Sequence, residues 1–83
     1  LAAQGVLFDT AFCNSPVCMP SRASFLTGRY PRSVGVMRNG HQYPERDADN
    51  LVTRILRDTA GYHNGLAGKL HLRQTGRKAA AFD

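Results

Sequence analysis

The sequence predicts an α/β fold, in which helices and strands pack in layers. Three observations support this class. Apolar, aromatic and β-branched residues dominate positions 6–13, with Asp9 as the polar exception, and apolar residues recur at helical spacing over 51–60. Residues 62–72 can form another strand, with Gly65 and Gly68 as weak points. Helix, strand, loop, helix and strand therefore succeed one another along the chain.

The first two elements are the end of a helix and a buried strand. Residues 1–4 are predicted to close the helix, with Gly5 in the left-handed conformation that ends one. Positions 6–13 then form the strand, which the turn formers at 14–16 terminate. Cys13 is expected to be a small buried hydrophobe on this strand.

The next helix carries the residue types that suit nucleophilic chemistry. Pro20 favours a first helical turn because it lacks the N–H that would be unpaired there, and the helix can continue for about two turns until Gly28. Cys18 would lie just before the helix N-terminus, where unpaired N–H groups and the helix dipole favour an oxyanion. Arg22 returns to the same side one turn later, so its guanidinium can reach back to Cys18.

A second helix follows a loop rich in turn-forming residues. Asp49 is a candidate N-cap, apolar residues repeat at helical spacing between 51 and 60, and Gly61 is the stop signal. The charged residues of this helix, Arg54, Arg57 and Asp58, are predicted to form a solvent-exposed face. The helix is therefore predicted to be a packing element.

The last predicted element is a strand at 62–72 that presents two polar side chains. Because side chains alternate across a strand, Lys69 and His71 should share one face while Leu70 and Leu72 point to the core. Lysine is a compact positive charge for a developing anion, and histidine titrates near neutral pH. Lys69 and His71 therefore are candidate functional residues.

Composition excludes several functional classes. The 83 residues are 42% hydrophobic with a net charge of +5, and no apolar run approaches the length of a membrane span. The positive residues are spread out, with only a loose cluster at Arg73, Arg77 and Lys78, so nucleic-acid binding is not predicted. Cys13 and Cys18 lack a second pair of ligands at zinc spacing, which argues against a zinc site.

Several motifs together resemble those of the sulfatase family. Cys18-Met19-Pro20-Ser21-Arg22, continued by Leu26-Thr27-Gly28-Arg29, resembles the signature C-x-P-S-R followed by L-T-G-R. Gly68-Lys69-Leu70-His71-Leu72 resembles G-K-W-H-L, with leucine in place of the commoner tryptophan. Residues 1–8 and Thr59-Ala60-Gly61-Tyr62 also resemble family segments, so the resemblance covers most of positions 1 to 72.

The resemblance implies an alkaline-phosphatase-like fold, a mixed sheet flanked by helices. Residues 1–83 would be part of its N-terminal catalytic domain, because whole sulfatases are several times longer. A chain this short buries only about two-thirds of its unfolded surface. The isolated piece is therefore expected to be a fragment that is neither stable nor active.

The resemblance further implies a sulfuric ester hydrolase acting on a sulfate ester of a small molecule or glycan. In this family the formylglycine-generating enzyme oxidises the signature cysteine, here Cys18, and the hydrated aldehyde attacks sulfur. By the same correspondence Arg22 would orient and stabilise the hydrated formylglycine, Lys69 would hold the sulfate oxygens, and His71 would assist removal of the hydroxyl proton.

The family also binds one divalent cation, usually Ca²⁺. The family's aspartate pairs have no counterpart in this chain, so only the modified Cys18 corresponds to one of the metal ligands. Hard cations need several oxygen ligands, and the others would have to come from outside these residues. Residues 47–50 are interpreted as a loop and helix cap rather than as metal ligands.

Alternatives remain at this stage. A cysteine phosphatase would need an arginine six residues after its cysteine, whereas that position is Ser24. A formylglycine-dependent phosphonate or phosphate monoester hydrolase would have similar motifs, and an inactive structural remnant is the non-enzymatic alternative. His41 and His63 match no family motif and are interpreted as surface residues.

Overall fold

The computed structural model describes residues 1–72 and residue 82. Within them, three α-helices follow one another: α1 (Cys18–Thr27), α2 (Pro31–Val34) and α3 (Val52–Ala60). Short 3-10 helices occupy Ala2–Gln4 and Glu45–Asn50. No segment of this part of the chain forms a strand, so the architecture seen in it is helical.

Helix α1 confirms the helix predicted from its proline and glycine signals. It begins at Cys18, two residues before Pro20, and ends at Gly28. Gly28 is left-handed, with φ 67°, and its N–H donates to the carbonyl of Ser24 at 2.8 Å. This αL termination satisfies a carbonyl that the end of the helix would otherwise leave unpaired.

Helix α2 is a single turn that the sequence analysis missed. Pro31 occupies its first position, where the missing N–H costs nothing, and the left-handed Gly35 closes it with φ 72°. Proline at the start and glycine just past the end are the signal that could have predicted it. Pro31 and Val34 are both buried, which fixes the turn against the core.

Helix α3 ends at Gly61 as predicted, but its start differs. Asp49 is not its N-cap, because Asp49 lies inside the preceding 3-10 helix and Leu51 precedes the first helical residue. Asp49 instead pairs with Arg54, whose Nε lies 3.7 Å from its Oδ1. The Arg54 side chain is only 17% exposed and also pairs with Asp58, so the predicted solvated face is wrong at this residue.

The two predicted strands are not formed in the described chain. The apolar side chains of segment 6–13 are 70–94% exposed: Val6, Leu7, Phe8 and Phe12. A strand needs neighbouring strands to pair its N–H and C=O groups, and this segment meets none here. Gly5 is extended rather than left-handed, with φ −137°, and Cys13 is exposed, so both of those predictions were wrong. The sheet of the α/β class is thus not confirmed by the structure.

The core lies between α1, α2 and the loop that leads to α3. Its buried side chains are Met19, Ala23, Val34, Val36, Tyr43 and Leu51. Leu70 and Leu72 pack against this cluster, as the sequence predicted, although the segment that carries them is not a strand. Helix α1 is thus anchored directly beside Cys18, because Met19 is fully buried.

Tyr43 gives the core a predicted pH dependence. Its side chain is fully buried and its hydroxyl donates to the carbonyl of Asp47 at 2.5 Å. Burial, reinforced by the Asp47 carboxylate and opposed by Arg29, raises the pKa of Tyr43 from 10.0 to about 12. An unfolded chain releases this proton near pH 10, whereas the folded chain holds it until about pH 12. The contribution of Tyr43 to the free energy of unfolding is therefore fully present below pH 10 and should be lost as the pH rises toward about 12.

Denaturant unfolding of the longer protein to which these residues are expected to belong, at about pH 9 and about pH 11, measures this loss of stability. Tyr43→Phe should be less stable than wild type at the lower pH, because it lacks the hydroxyl, and should lose less stability between the two. Tyr62→Phe is the control, since Tyr62 is 58% exposed. An equal pH-dependent loss in wild type and Tyr43→Phe would contradict the assignment.

Candidate active site

An open cavity of about 760 Å³ brings three of the predicted site residues together. The first turns of α1 contribute Cys18 and Arg22, and the segment near the end of the described chain contributes Lys69. The irregular segment 12–17 forms the remaining wall. The cavity is therefore lined by two thiols, those of Cys13 and Cys18, and by two cationic side chains.

Cys18 occupies the first helical position of α1 and is exposed. Its thiol is free, as is that of Cys13, whose Sγ donates to the carbonyl of Ser15 at 3.1 Å. Val17 before it is extended, with φ −111° and ψ 139°, so the chain turns sharply into the helix at the cysteine. The Cys18 thiol therefore projects from a helix start at the cavity wall.

Fewer backbone donors surround Cys18 than the sequence predicted. The N–H of Met19 donates to Oδ1 of Asn39 at 3.0 Å, Pro20 has no N–H, and the N–H of Ser21 donates to the carbonyl of Val17 at 3.0 Å. Among the first four helical positions, only the N–H of Cys18 itself lacks a partner within the described residues. An anion at this helix end would thus depend on side-chain cations more than on backbone groups.

Arg22 links α1 to the wall that carries Lys69. Its side chain is half-buried, and its Nη1 donates to the backbone carbonyl of Lys69. Arg22 and Cys18 line the same cavity, but the hydrogen bond of the guanidinium goes to Lys69. Guanidinium has further N–H donors, so this bond leaves capacity for an anion in the cavity.

Lys69 and His71 do not share a face, in contrast to the strand-based prediction. Lys69 is exposed at the cavity, whereas His71 is not among the lining residues. Gly68 and His71 have positive φ values of 120° and 49°, which break the two-residue alternation of a strand. Nδ1 of His71 is buried and has no hydrogen-bond partner within the part of the chain that the structure describes.

Asn14 is a site residue that the sequence analysis missed. Its Nδ2 donates to Oγ of Ser24 at 2.6 Å, which ties the segment before Cys18 to α1. Ser24 is only 5% exposed, and a polar side chain on the buried face of a helix needs such a partner. This unusual position of Ser24 was the signal that could have indicated a tertiary contact.

The described residues contain no group of three or more His, Cys, Asp or Glu side chains arranged to hold a metal ion. Residues 47–50 are part of a 3-10 helix, and Asp47 accepts a hydrogen bond from Asn50 Nδ2 at 3.3 Å. The residues present therefore do not fit a divalent-cation site by themselves.

The other two histidines do not line the cavity. Nδ1 of His41 accepts the N–H of Met37 at 3.1 Å within its own loop, and His63 is exposed. Arg73, Arg77 and Lys78 lie outside the described residues. None of the helices described is both long and apolar enough to cross a membrane.

Comparison with known proteins identifies several relatives. An N-acetylgalactosamine-6-sulfatase of Sus scrofa is 37% identical over 83 residues, covering 87% of this chain and 16% of the relative. An ulvan-active sulfatase of Formosa agariphila is 37% identical, covering 88% and 14% of the two chains. An N-acetylglucosamine-6-sulfatase of Bos taurus is 34% identical, covering 83% and 14%. No solved structure gives a significant match.

The chain spans 14–16% of the length of these curated relatives. The Sulfatase family model matches residues 1–83, which is the whole of the sequence. Its signature cysteine and arginine both line the cavity described above. The chain therefore belongs to the sulfatase family.

Proposed function

We propose that residues 1–83 are part of the N-terminal catalytic domain of a longer sulfuric ester hydrolase, called the parent enzyme below. The observation that carries the proposal is the exposed Cys18 at the start of α1, in one cavity with Arg22 and Lys69. The names of the three relatives describe sulfatases, two of them specific for the 6-sulfate of an amino sugar. Sulfate esters of small molecules or glycans are accordingly the proposed substrate class.

The proposed nucleophile is a formylglycine derived from Cys18. The formylglycine-generating enzyme is the proposed partner that oxidises the cysteine to an aldehyde, which then adds water to give a geminal diol. One hydroxyl loses its proton and its oxygen bonds to the sulfur of the substrate. The bond between sulfur and the ester oxygen breaks, and that oxygen gains a proton as the alcohol leaves. The second hydroxyl loses its proton as the aldehyde re-forms and sulfate is expelled.

Arg22, Lys69 and His71 are the proposed supporting groups. The guanidinium of Arg22 stands one helical turn from Cys18 and would stabilise the hydrated aldehyde. The exposed ammonium of Lys69 would hold the sulfate oxygens as negative charge develops. His71 would take the hydroxyl proton; it does not line the cavity, but its buried Nδ1 has no hydrogen-bond partner among the described residues, which supports a role in binding a group from outside them.

The sheet and the metal site of the parent enzyme are proposed to need residues beyond this chain. The exposed apolar side chains of segment 6–13 suit a strand in a mixed sheet flanked by helices. A Ca²⁺ ion is the proposed cofactor, with the modified Cys18 as its ligand from this segment. Its other oxygen ligands would come from elsewhere in the parent, since the described residues do not fit such a site.

Mass spectrometry of the parent enzyme tests the proposal most directly. The tryptic peptide that ends at Arg22 should contain an aldehyde at Cys18 and an unmodified thiol at Cys13, which is an internal control in the same peptide. A known sulfatase expressed in the same host shows that the host can convert the motif. An intact Cys18 thiol beside a converted control would contradict the mechanism.

A formylglycine-dependent phosphonate or phosphate monoester hydrolase is the second candidate. The cationic pair Arg22 and Lys69 suits any tetrahedral oxyanion, which favours neither sulfur nor phosphorus. Matched aryl esters of sulfate, phosphate and a phosphonate separate the two, and the sulfate ester should have the highest kcat/KM. Converted Cys18 without hydrolysis of any ester would instead support an inactive structural remnant.

A further inference from the structure

Helix α1 lacks a side-chain cap of its own. Val17 is at the N-cap position, and its side chain has no oxygen that could accept a backbone N–H of the first turn. Capping residues normally supply that oxygen from the position just before the helix. The backbone N–H of Met19 therefore has to find an acceptor elsewhere.

Asn39 supplies that acceptor from a loop 20 residues further along the chain. Its Oδ1 accepts the N–H of Met19 at 3.0 Å, and the N–H of its neighbour Gly40 points at Sδ of Met19 at 3.1 Å. Gly40 has φ 94°, which a residue with a side chain rarely adopts, so the turn that presents Asn39 depends on glycine. Two contacts from one loop thus converge on Met19, the residue directly after Cys18.

The geometry points to a positioning role for Asn39: we infer that its side chain, as a remote N-cap of α1, fixes the backbone from which the Cys18-derived nucleophile projects. The inference rests on the proposed function. Met19 is fully buried, so its capped N–H and its packed side chain together hold the first turn in place. Without the cap, the first turn would fray at the residue that carries the chemistry.

Asn39 acts through Met19 and not on the substrate. Val17 and Cys18 line the cavity, whereas Asn39 does not. A serine or aspartate at position 17 would cap the same helix but would place a polar side chain in the cavity wall. The remote cap stabilises the helix start and leaves the apolar Val17 side chain in that wall.

The test compares three variants of the parent enzyme, with activity expressed per formylglycine found by mass spectrometry. Asn39→Ala removes the acceptor, and kcat for an aryl sulfate should fall roughly tenfold while KM changes little, because the nucleophile is misplaced but substrate contacts remain. Asn39→Asp keeps an oxygen at the same place and should restore kcat. Gln42→Ala removes an exposed amide from the same loop and should match wild type.

Three kinetic results would overturn the inference. The first is an Asn39→Ala enzyme with wild-type kcat per formylglycine, and the second is an Asn39→Asp enzyme as slow as Asn39→Ala. Loss of activity through KM alone would also overturn it, because that pattern indicates a substrate contact.

Hydrogen exchange separates failure of this inference from failure of the proposed function. Exchange of the Met19 amide in the folded parent protein should be roughly fivefold faster in Asn39→Ala and unchanged in Gln42→Ala, whether or not Cys18 is converted. Unconverted wild-type Cys18 would overturn the proposed function, while the exchange rates would still decide whether Asn39 caps the helix. Equal exchange in all variants would overturn the cap itself.

Discussion

Replacement of Cys18 by alanine is expected to lower kcat/KM for a sulfate ester by more than about a thousandfold in the parent enzyme. Alanine has no sulfur to oxidise, so neither the aldehyde nor its diol can form. Cys18 is exposed at the first position of α1, and removal of its thiol leaves no buried space behind. The variant should therefore fold normally, which circular dichroism and the melting temperature would show.

Cys13→Ala is the matched control for this prediction. Cys13 lines the same cavity and is also exposed, but its Sγ only donates to the carbonyl of Ser15. This variant should keep most of the wild-type kcat/KM. Equal losses in the two variants would point to a general need for cysteine, such as a disulfide, and would contradict the specific role of Cys18.

Replacement of Lys69 by methionine is the second change with a large expected effect. Its exposed ammonium lines the cavity together with Arg22, and within the described residues only one backbone N–H of the first turn of α1, that of Cys18, has no partner and could compensate for the loss of Lys69. We expect kcat/KM for an aryl sulfate to fall roughly 10²- to 10³-fold, with most of the loss in kcat if Lys69 stabilises developing charge.

Arg32→Met is the control for the loss of one positive charge. Arg32 is an exposed residue of α2 and does not line the main cavity. Its replacement should change kcat/KM only slightly. The change should be larger at low ionic strength than at high, because salt screens the attraction between an exposed charge and the substrate anion. A similar loss in both variants would mean that net charge matters and the position of Lys69 does not.

Two of the three α-helices in the described residues, α1 and α3, were predicted because their signals are local. Pro20 and Gly28 enclose α1, and Gly61 ends α3, so the information lies within the elements themselves. The start of α3 was misplaced because Asp49 satisfies an ion pair with Arg54 instead of capping the helix. Tertiary packing determines which side chains pair in this way, so the local sequence pattern does not predict them.

The predicted strands show what a pattern of residues leaves undetermined. Segment 6–13 has the composition of a buried strand, yet burial depends on neighbours that no local pattern specifies. At the second segment, Gly68 and His71 adopt positive φ values, so the alternation expected for Lys69 and His71 fails. The motif predicted that these residues matter, but only the backbone decides which of them faces the cavity.

The contacts that hold the nucleophile in place were beyond sequence reasoning. Asn14 reaches Ser24 across 10 residues, and Asn39 reaches Met19 across 20. Asparagine is common in loops for many reasons, so neither residue stands out by type or spacing. Their roles follow from the positions of single oxygen and nitrogen atoms in the fold.

The hydrogen bond between Arg22 and the carbonyl of Lys69 joins residues 47 positions apart, so it cannot form until well after α1 has been synthesised. A ribosome adds roughly 5–20 residues per second, so Lys69 is added roughly 2–9 s after Arg22. The resemblance to sulfatases implies that the oxidising enzyme recognises the motif around Cys18 in the unfolded chain. Translation speed between these two residues would then determine how long the motif remains in the unfolded form that this enzyme recognises.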